Sequence, residues 1–315
     1  MTSQPALPEQ LVSTRVRRLE GGSPPHLDPD LARVRRGYFR GAGLRLTAAE
    51  QYRLRIFATA DARQDGLVFS LASAAELWDC PQLRSDLALV HATRPSKARR
   101  TTAGVMMHRG SIPDDHVVTL PSGLRVTSRA WTAVEIAAAG DLPGVLLPLD
   151  ALLRQMAEAD RITPTEAIAR LCALVPPRMK GRARAMRNLE LADGRSGSAG
   201  ESLSRGQMVL LEVPMPDLQV AFERGDEPGH DVVDFDWPEL ERFGEFDGVG
   251  KYRDQQLTGG RTSEEVLWDE KRREDRVRRH RPIGARWGWA EALSARKLAR
   301  VLAQAGIEPQ RTVSR

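Results

Sequence analysis

The sequence predicts an α+β region followed by a second domain in which helices and strands alternate. Three observations predict it. Helix-start signals and short apolar strands mix through the first 175 residues, and that region closes in helices. A basic, proline-marked stretch at 176–195 interrupts the pattern. Beyond it come a helix, three short strands, a long polar helix, a strand and a closing helix. With 315 residues the chain is long enough for two domains.

Residues 1–28 hold Pro5, Pro8, Pro24, Pro25 and Gly21-Gly-Ser, and are expected to form a flexible arm. Leu31–Arg40 reads as a short basic strand and turn. Thr47-Ala-Ala-Glu50 is a capping box that opens a helix carrying Tyr52, Ile56 and Phe57. Leu67-Val-Phe is a brief strand, and Ser73-Ala-Ala-Glu76 lies in the next helix start, anchored by Leu77 and Trp78. Strands follow at 87–91, 104–109, 117–120 and 124–126, the last two flanking Pro121-Ser-Gly123. The loop between the first two carries Arg94, Lys97, Arg99 and Arg100 without an acid; it is either a phosphate clamp or an ordinary exposed turn. His91, His108 and His116 are separated by 17 and 8 residues, which matches no metal spacing, and are read as structural. Helices are expected at 128–139 and 143–157, then after Thr163-Pro-Thr-Glu166, a capping box with proline at the first helical position.

The stretch 176–195 is read as a basic linker helix, with five cationic residues between Arg178 and Arg187 and no acid before Glu190. The last domain spans 196–308, with 309–315 as a tail. Its first helix runs to about Leu211, and Glu201 in the first turns suits the helix dipole. Leu218–Phe222 is a strand. From Lys271 to Arg286 basic residues outnumber acids eight to two, a surplus that fits nucleic-acid contact better than a neutral ion-paired face. A strand at 282–289 and a helix at 291–305 close the chain.

The stretch Asp231–Lys251 carries the chemistry. Val233, Phe235 and Trp237 alternate with Val232, Asp234 and Asp236; Pro238-Glu239-Leu240-Glu241 is the turn; Glu245 and Asp247 share a face of the returning strand. In a hairpin the two acidic faces converge. Clustered carboxylates repel unless a cation sits among them, and all-oxygen ligands suit Mg²⁺ or Mn²⁺ rather than zinc. A solvated surface hairpin satisfies the same spacing. Lys251 follows one short turn later, where a lysine steadies charge on a phosphate.

Asp234-Phe-Asp-Trp followed by Glu245-Phe-Asp-Gly resembles the restriction-endonuclease-like, PD-(D/E)xK superfamily, in the branch related to very-short-patch repair endonucleases. Leu267-Trp-Asp-Glu-Lys-Arg-Arg-Glu-Asp275 and Arg286-Trp-Gly-Trp289 form a second matching block, so the resemblance covers about residues 196–305. It implies an α/β domain with a mixed sheet flanked by helices. Asp234 and Glu245 would hold a divalent cation, Asp247 would add a ligand or position water, and Glu201 would complete the site. Lys251 stands where many relatives have histidine. Leu31–Arg40, and Ser73 followed by Trp78-Asp-Cys-Pro, resemble the wing and middle region of AbiEi-type antitoxins of type IV toxin–antitoxin systems. That resemblance covers 29–175 and implies an α+β region.

Hydrophobic content of 41% and charged content of 28% fit a globular protein, and a net charge of +5 leans towards an anionic partner. Cys80 and Cys172 stand in no metal spacing and no disulfide framework, so a reducing cytoplasm is the expected compartment. The longest apolar run, at 144–153, is broken by Pro148 and Asp150, and no membrane partner is expected. The expected function is therefore a DNA-binding protein that hydrolyses phosphodiesters with metal-activated water. Arg94, Lys97, Arg99, Arg100, Lys271, Arg272, Arg273 and Arg276 would hold the DNA backbone. A homodimer is the arrangement in which many such enzymes cut both strands. The alternative is a non-catalytic regulator, an AbiEi-type antitoxin with a cognate toxin, that keeps the nuclease fold for binding.

Overall fold

Two units divide the backbone: Met1–Ala139 with Gln155–Glu190, and Gly140–Arg154 with Leu191–Arg315. The computed structural model describes residues 8–63, 67–94, 100–102, 104–225, 227–248 and 263–309. Lys97, Arg99 and Lys251, all expected at functional positions, lie outside them. Among the described residues the strands form three sheets, of three, six and four strands, and helices accompany each, so the fold is mixed α+β.

The N-terminal unit opens with β1 (Val12–Ser13), α1 (Thr14–Leu19), β2 (Leu31–Arg35), β3 (Tyr38–Gly41) and α2 (Ala48–Ala62). Residues 8–28 are not the loose arm that their prolines predict. β1 pairs with β3, Ser13 Oγ caps α1 at Val16 N, and buried Leu11 packs with Tyr38, Leu54 and Ala58. Burial of one leucine and a two-residue ladder outweigh the local composition. α2 starts where its capping box predicts: Glu50 N donates to Thr47 Oγ1 and Thr47 N to Glu50 Oε2.

The six-stranded sheet is built from β4 (Val68–Phe69), β5 (Val90–Arg94), β6 (Arg100–Thr102), β7 (Val105–Arg109), β8 (Val117–Thr119) and β9 (Arg125–Thr127), in the order β6-β7-β5-β4-β9-β8. α3 (Leu71–Leu77) lies between β4 and β5 in the chain. The strand predicted at 87–91 starts later, because Arg84–Leu87 forms a 3-10 turn that buries Leu87. Tyr52, Ile56, Phe69, Val90, Val105 and Val126 share the core beneath this sheet. α4 (Arg129–Ala139) follows β9. α5 (Leu146–Asp160) contributes to this unit only from Gln155 onwards; α6 (Pro164–Leu174) and α7 (Arg182–Leu191) complete the helices. His91 and His108 stack at 5.0 Å on neighbouring strands, and His116 Nδ1 meets Ser128 Oγ at 2.8 Å.

The C-terminal unit takes residues 140–154, with Asp150, and then α8 (Ala199–Leu210). Its sheet runs β10 (Asp217–Glu223), β11 (His230–Trp237), β12 (Arg242–Phe246) and β13 (Ile283–Trp287) side by side. The first three form an antiparallel meander. β13 lies parallel to β12 and is reached through α9 (Ser263–His280). A parallel neighbour requires such a crossover. α10 (Trp289–Ala292) and α11 (Ala295–Gln304) replace the single closing helix that the sequence predicts; Ser294 between them is the N-cap of α11. Buried Asp150 and Arg205 of α8 pair at 2.8 Å, with Asp193 N also donating to Asp150. Among the described residues no helix is long and apolar enough to cross a membrane.

Candidate functional site

The acidic hairpin forms, with its turn at Pro238–Leu240 and Glu241 in the left-handed region. Phe235 pairs with Gly244, Asp236 with Phe243 and Trp237 with Arg242. The β12–β13 ladder runs two residues further, through Glu245–Arg286 and Phe246–Trp287. β11 and β12 therefore part at Asp234. The backbone N–H of Phe246 is left without a ladder partner on β11 and donates instead to Asp234 Oδ2 at 2.8 Å.

Gln219 of β10 fills the other side of the gap. Its backbone is in the left-handed region, φ 53°, which breaks the alternation of the strand. Its Nε2 donates to Asp234 Oδ1 at 3.2 Å and to Glu201 Oε2 at 2.9 Å. Glu201 stands in the first turn of α8, whose N-terminus is capped by Ser198 Oγ accepting from Glu201 N; Gly197 N also donates to Glu201 Oε2, at 2.7 Å. Two carboxylates thus share one amide nitrogen. Glu201 is 5% exposed. Burial, and after it the Asp234 charge, pushes its carboxyl above the usual range.

The remaining buried acids of this unit are neutralised by arginine. Asp231 takes Arg224 and Arg276, Asp236 takes Arg281, and Asp150 takes Arg205. Glu201 and Asp234 differ: among the described residues neither has a cationic partner.

Glu245 corrects the sequence reading. Its carboxylate is buried and held by Arg273 at 2.5 Å and Arg286 at 2.6 Å, not turned to Asp234. Both arginines also hold Glu270, at 2.9 and 2.6 Å. Burial works to raise the Glu270 carboxyl, but the two guanidinium groups outweigh it and hold it at about 2. Burial raises Glu245 despite the same arginines. The expected convergence of acidic faces is not formed: among the described residues no three His, Cys, Asp or Glu side chains gather to hold an ion. Asp247 lies past the end of β12, with its N–H on Trp287 O, outside the Gln219 bridge. The phosphate-binding expectation changes for two residues. Arg273 is consumed by Glu245 and Glu270, and Arg276 by Asp231. Arg272 remains largely exposed although paired with Asp269, and Lys271 sits 5.1 Å over the exposed ring of Trp268. Arg94 ends β5, and Arg100 begins β6 rather than lying in a loop.

The residues present fit a divalent cation through Glu201 and Asp234 rather than through three acids. Magnesium needs only one or two carboxylates when water and phosphate oxygens supply the rest. The two oxygen donors lie together, unneutralised among the described residues, at the point where the strands part.

No known family model matches the chain. It is similar to two uncharacterized proteins of Mycobacterium tuberculosis, MT2308 of strain CDC 1551 / Oshkosh and Rv2248 of strain ATCC 25618 / H37Rv, at 34% identity over 161 residues in each case. The match takes in 51% of this chain and 55% of each relative, so the chain spans about half the length of the curated relatives it matches.

Sequence reading misses Gln219 and the arginine clamp. Gln219 is a polar residue in an apolar strand, and its meaning appears only once the β10–β11 register sets it beside Asp234. Arg273 and Arg286 are 13 positions apart, on α9 and β13, and only the parallel β12–β13 pairing brings both to Glu245.

Proposed function

We propose that this chain is a nucleic-acid-binding protein whose C-terminal unit hydrolyses phosphodiester bonds with the help of Mg²⁺ or Mn²⁺. The observation that carries this reading is the Glu201–Gln219–Asp234 constellation, a carboxylate pair left without arginine in a unit whose other buried acids are all clamped. When bound there, the cation would polarise a phosphate and activate water. The protein's own part is positional. Gln219 fixes both carboxylates, the Phe246 N–H orients Asp234, and the cap at Ser198 sets the height of Glu201. Lys271 and Trp268 on the exposed face of α9 supply a charge and a stacking surface suited to nucleic acid.

A second reading is favoured by the clamp on Glu245. A carboxylate so neutralised serves structure, and a fold stabilised this way can bind nucleic acid without cutting it, as an antitoxin-type regulator would. The test is nicking of supercoiled plasmid in Mg²⁺, Mn²⁺ or EDTA by wild type, Glu201→Gln and Asp234→Asn. Metal-dependent nicking lost in both variants supports the hydrolase. Gel retardation by all three proteins without nicking refutes it and supports the regulator.

A further inference from the structure

The N-terminal unit holds a cleft that the proposed hydrolase does not use. Its volume is about 680 Å³, within the size range of small-molecule sites. Three segments of the fold build it: the end of β7, one face of α4, and the turn before α7. Arg109, Arg178 and Lys180 are exposed and stand at its rim. Glu135 is the one acidic side chain among the residues that line it. The rim is therefore strongly cationic.

The interior has a different character. Trp131 and Glu135 are four residues apart on α4, so their side chains lie on one face. Trp131 is 7% exposed, and its Nε1–H is buried without an acceptor. A buried donor of this kind costs free energy until something accepts from it. Glu135 receives one weak contact, from Leu71 N at 3.4 Å. Burial pushes its carboxyl up to about 7, so near neutral pH it both donates and accepts. The cleft thus offers a flat aromatic surface, a free N–H donor and a carboxyl of dual character inside, and cations outside.

We propose that this cleft binds a nucleotide, its base against Trp131 and Glu135 and its phosphates against Arg109, Arg178 and Lys180. A plain inorganic anion would use the rim and leave the interior donor unmet. An apolar ligand would leave the rim unused. A nucleotide matches both, whether it is a free nucleoside phosphate or one residue of a single strand.

The test is calorimetric titration of the full chain, in EDTA, with the four nucleoside triphosphates and with inorganic tripolyphosphate. At least one nucleoside triphosphate should bind tenfold or more tightly than tripolyphosphate. Arg178→Ala with Lys180→Ala, both exposed positions that leave the fold unburdened, should weaken both probes at least tenfold, the effect of losing charged contacts. Glu135→Gln should change the order of preference among the four bases and leave tripolyphosphate binding as it was. Equal binding of tripolyphosphate and nucleotides would overturn the proposal, as would no binding, or nucleotide binding untouched by all the substitutions. Competition by a short single-stranded oligonucleotide would assign the bound nucleotide to a strand, and its failure to compete would assign it to the free pool.

Discussion

Gly200→Ala is the substitution that most directly probes how the carboxylate pair is held. A Cβ at Gly200 would lie 2.0 and 2.1 Å from two ring carbons of Phe246, about 1.4 Å inside ordinary contact. The ring has nowhere to go: Phe246 is 4% exposed and is met edge-on by Trp289 at 5.2 Å. α8 must therefore lift from β12. Alanine favours the helix by about 1 kcal/mol over glycine, while overpacking a core costs about 1–3 kcal/mol, with a clash of this depth at the upper end. The expected net loss is roughly 2 kcal/mol of stability. The functional loss should be larger in proportion. Glu201 follows Gly200 directly, and Phe246 N–H holds Asp234, so the lift pulls apart the two groups that Gln219 joins. Denaturant unfolding should show the destabilisation. Titration with Mn²⁺ should show weakened binding at protein concentrations where the variant remains folded. Adding Phe246→Ala should cost less than the two single changes together, with a coupling of about 1 kcal/mol or more. A Gly200→Ala protein as stable as wild type, with unchanged Mn²⁺ affinity, would refute the reasoning.

Three further outcomes are expected. Glu135 prefers its proton in the folded chain, from an ordinary value of 4.5 up to about 7, so its contribution to stability is fully present below pH 4.5 and is lost as pH rises through 7. The loss is about 3 kcal/mol in wild type and absent in Glu135→Gln; parallel stability–pH curves for the two proteins would contradict this. Arg205→Met leaves buried Asp150 with only the Asp193 N–H for company and should cost about 3–5 kcal/mol, most of it recovered by adding Asp150→Asn. Thermal unfolding of the two variants checks this, and no recovery in the double variant would mean that the pair is not the cause. Glu245→Gln should lower stability yet leave Mn²⁺ affinity within about threefold, whereas Asp234→Asn should weaken it at least tenfold, in line with loss of a charged contact. The reverse order would return Glu245 to the metal.

Local signals in the sequence translate well into structure. The capping boxes at Thr47 and Thr163 start α2 and α6 at the residues predicted, because their hydrogen bonds lie within four positions of one another. The Asp231–Asp247 hairpin forms for the same reason: alternation and a proline turn are local. What the residues do not show is which way each acid is drawn. Spacing places Asp234, Asp236 and Glu245 as equivalents. In the fold Asp236 goes to Arg281 and Glu245 to Arg273 and Arg286, and only Asp234 joins Glu201. Those choices depend on α9 and β13, up to 45 positions away, and on the residue where two strands separate. The first 28 residues fail in the opposite sense. Their proline and glycine content describes an arm, but Leu11 and Ser13 have partners near position 38 that composition does not register.

The chain passes between its two units three times, after Ala139, Arg154 and Glu190. This has a bearing on how the gene is read and on how the protein is made. As synthesis proceeds, the segment with Asp150 emerges 55 residues before its arginine, and must stay soluble with an unmatched carboxylate until α8 is complete. A fragment begun at the prolines of 176–177 would carry Arg205 but lack its counter-charge. The C-terminal unit is therefore not a cassette that a single cut releases. Its smallest heritable module reaches back to residue 140, with the 36 residues from Gln155 to Glu190 as an excursion from it.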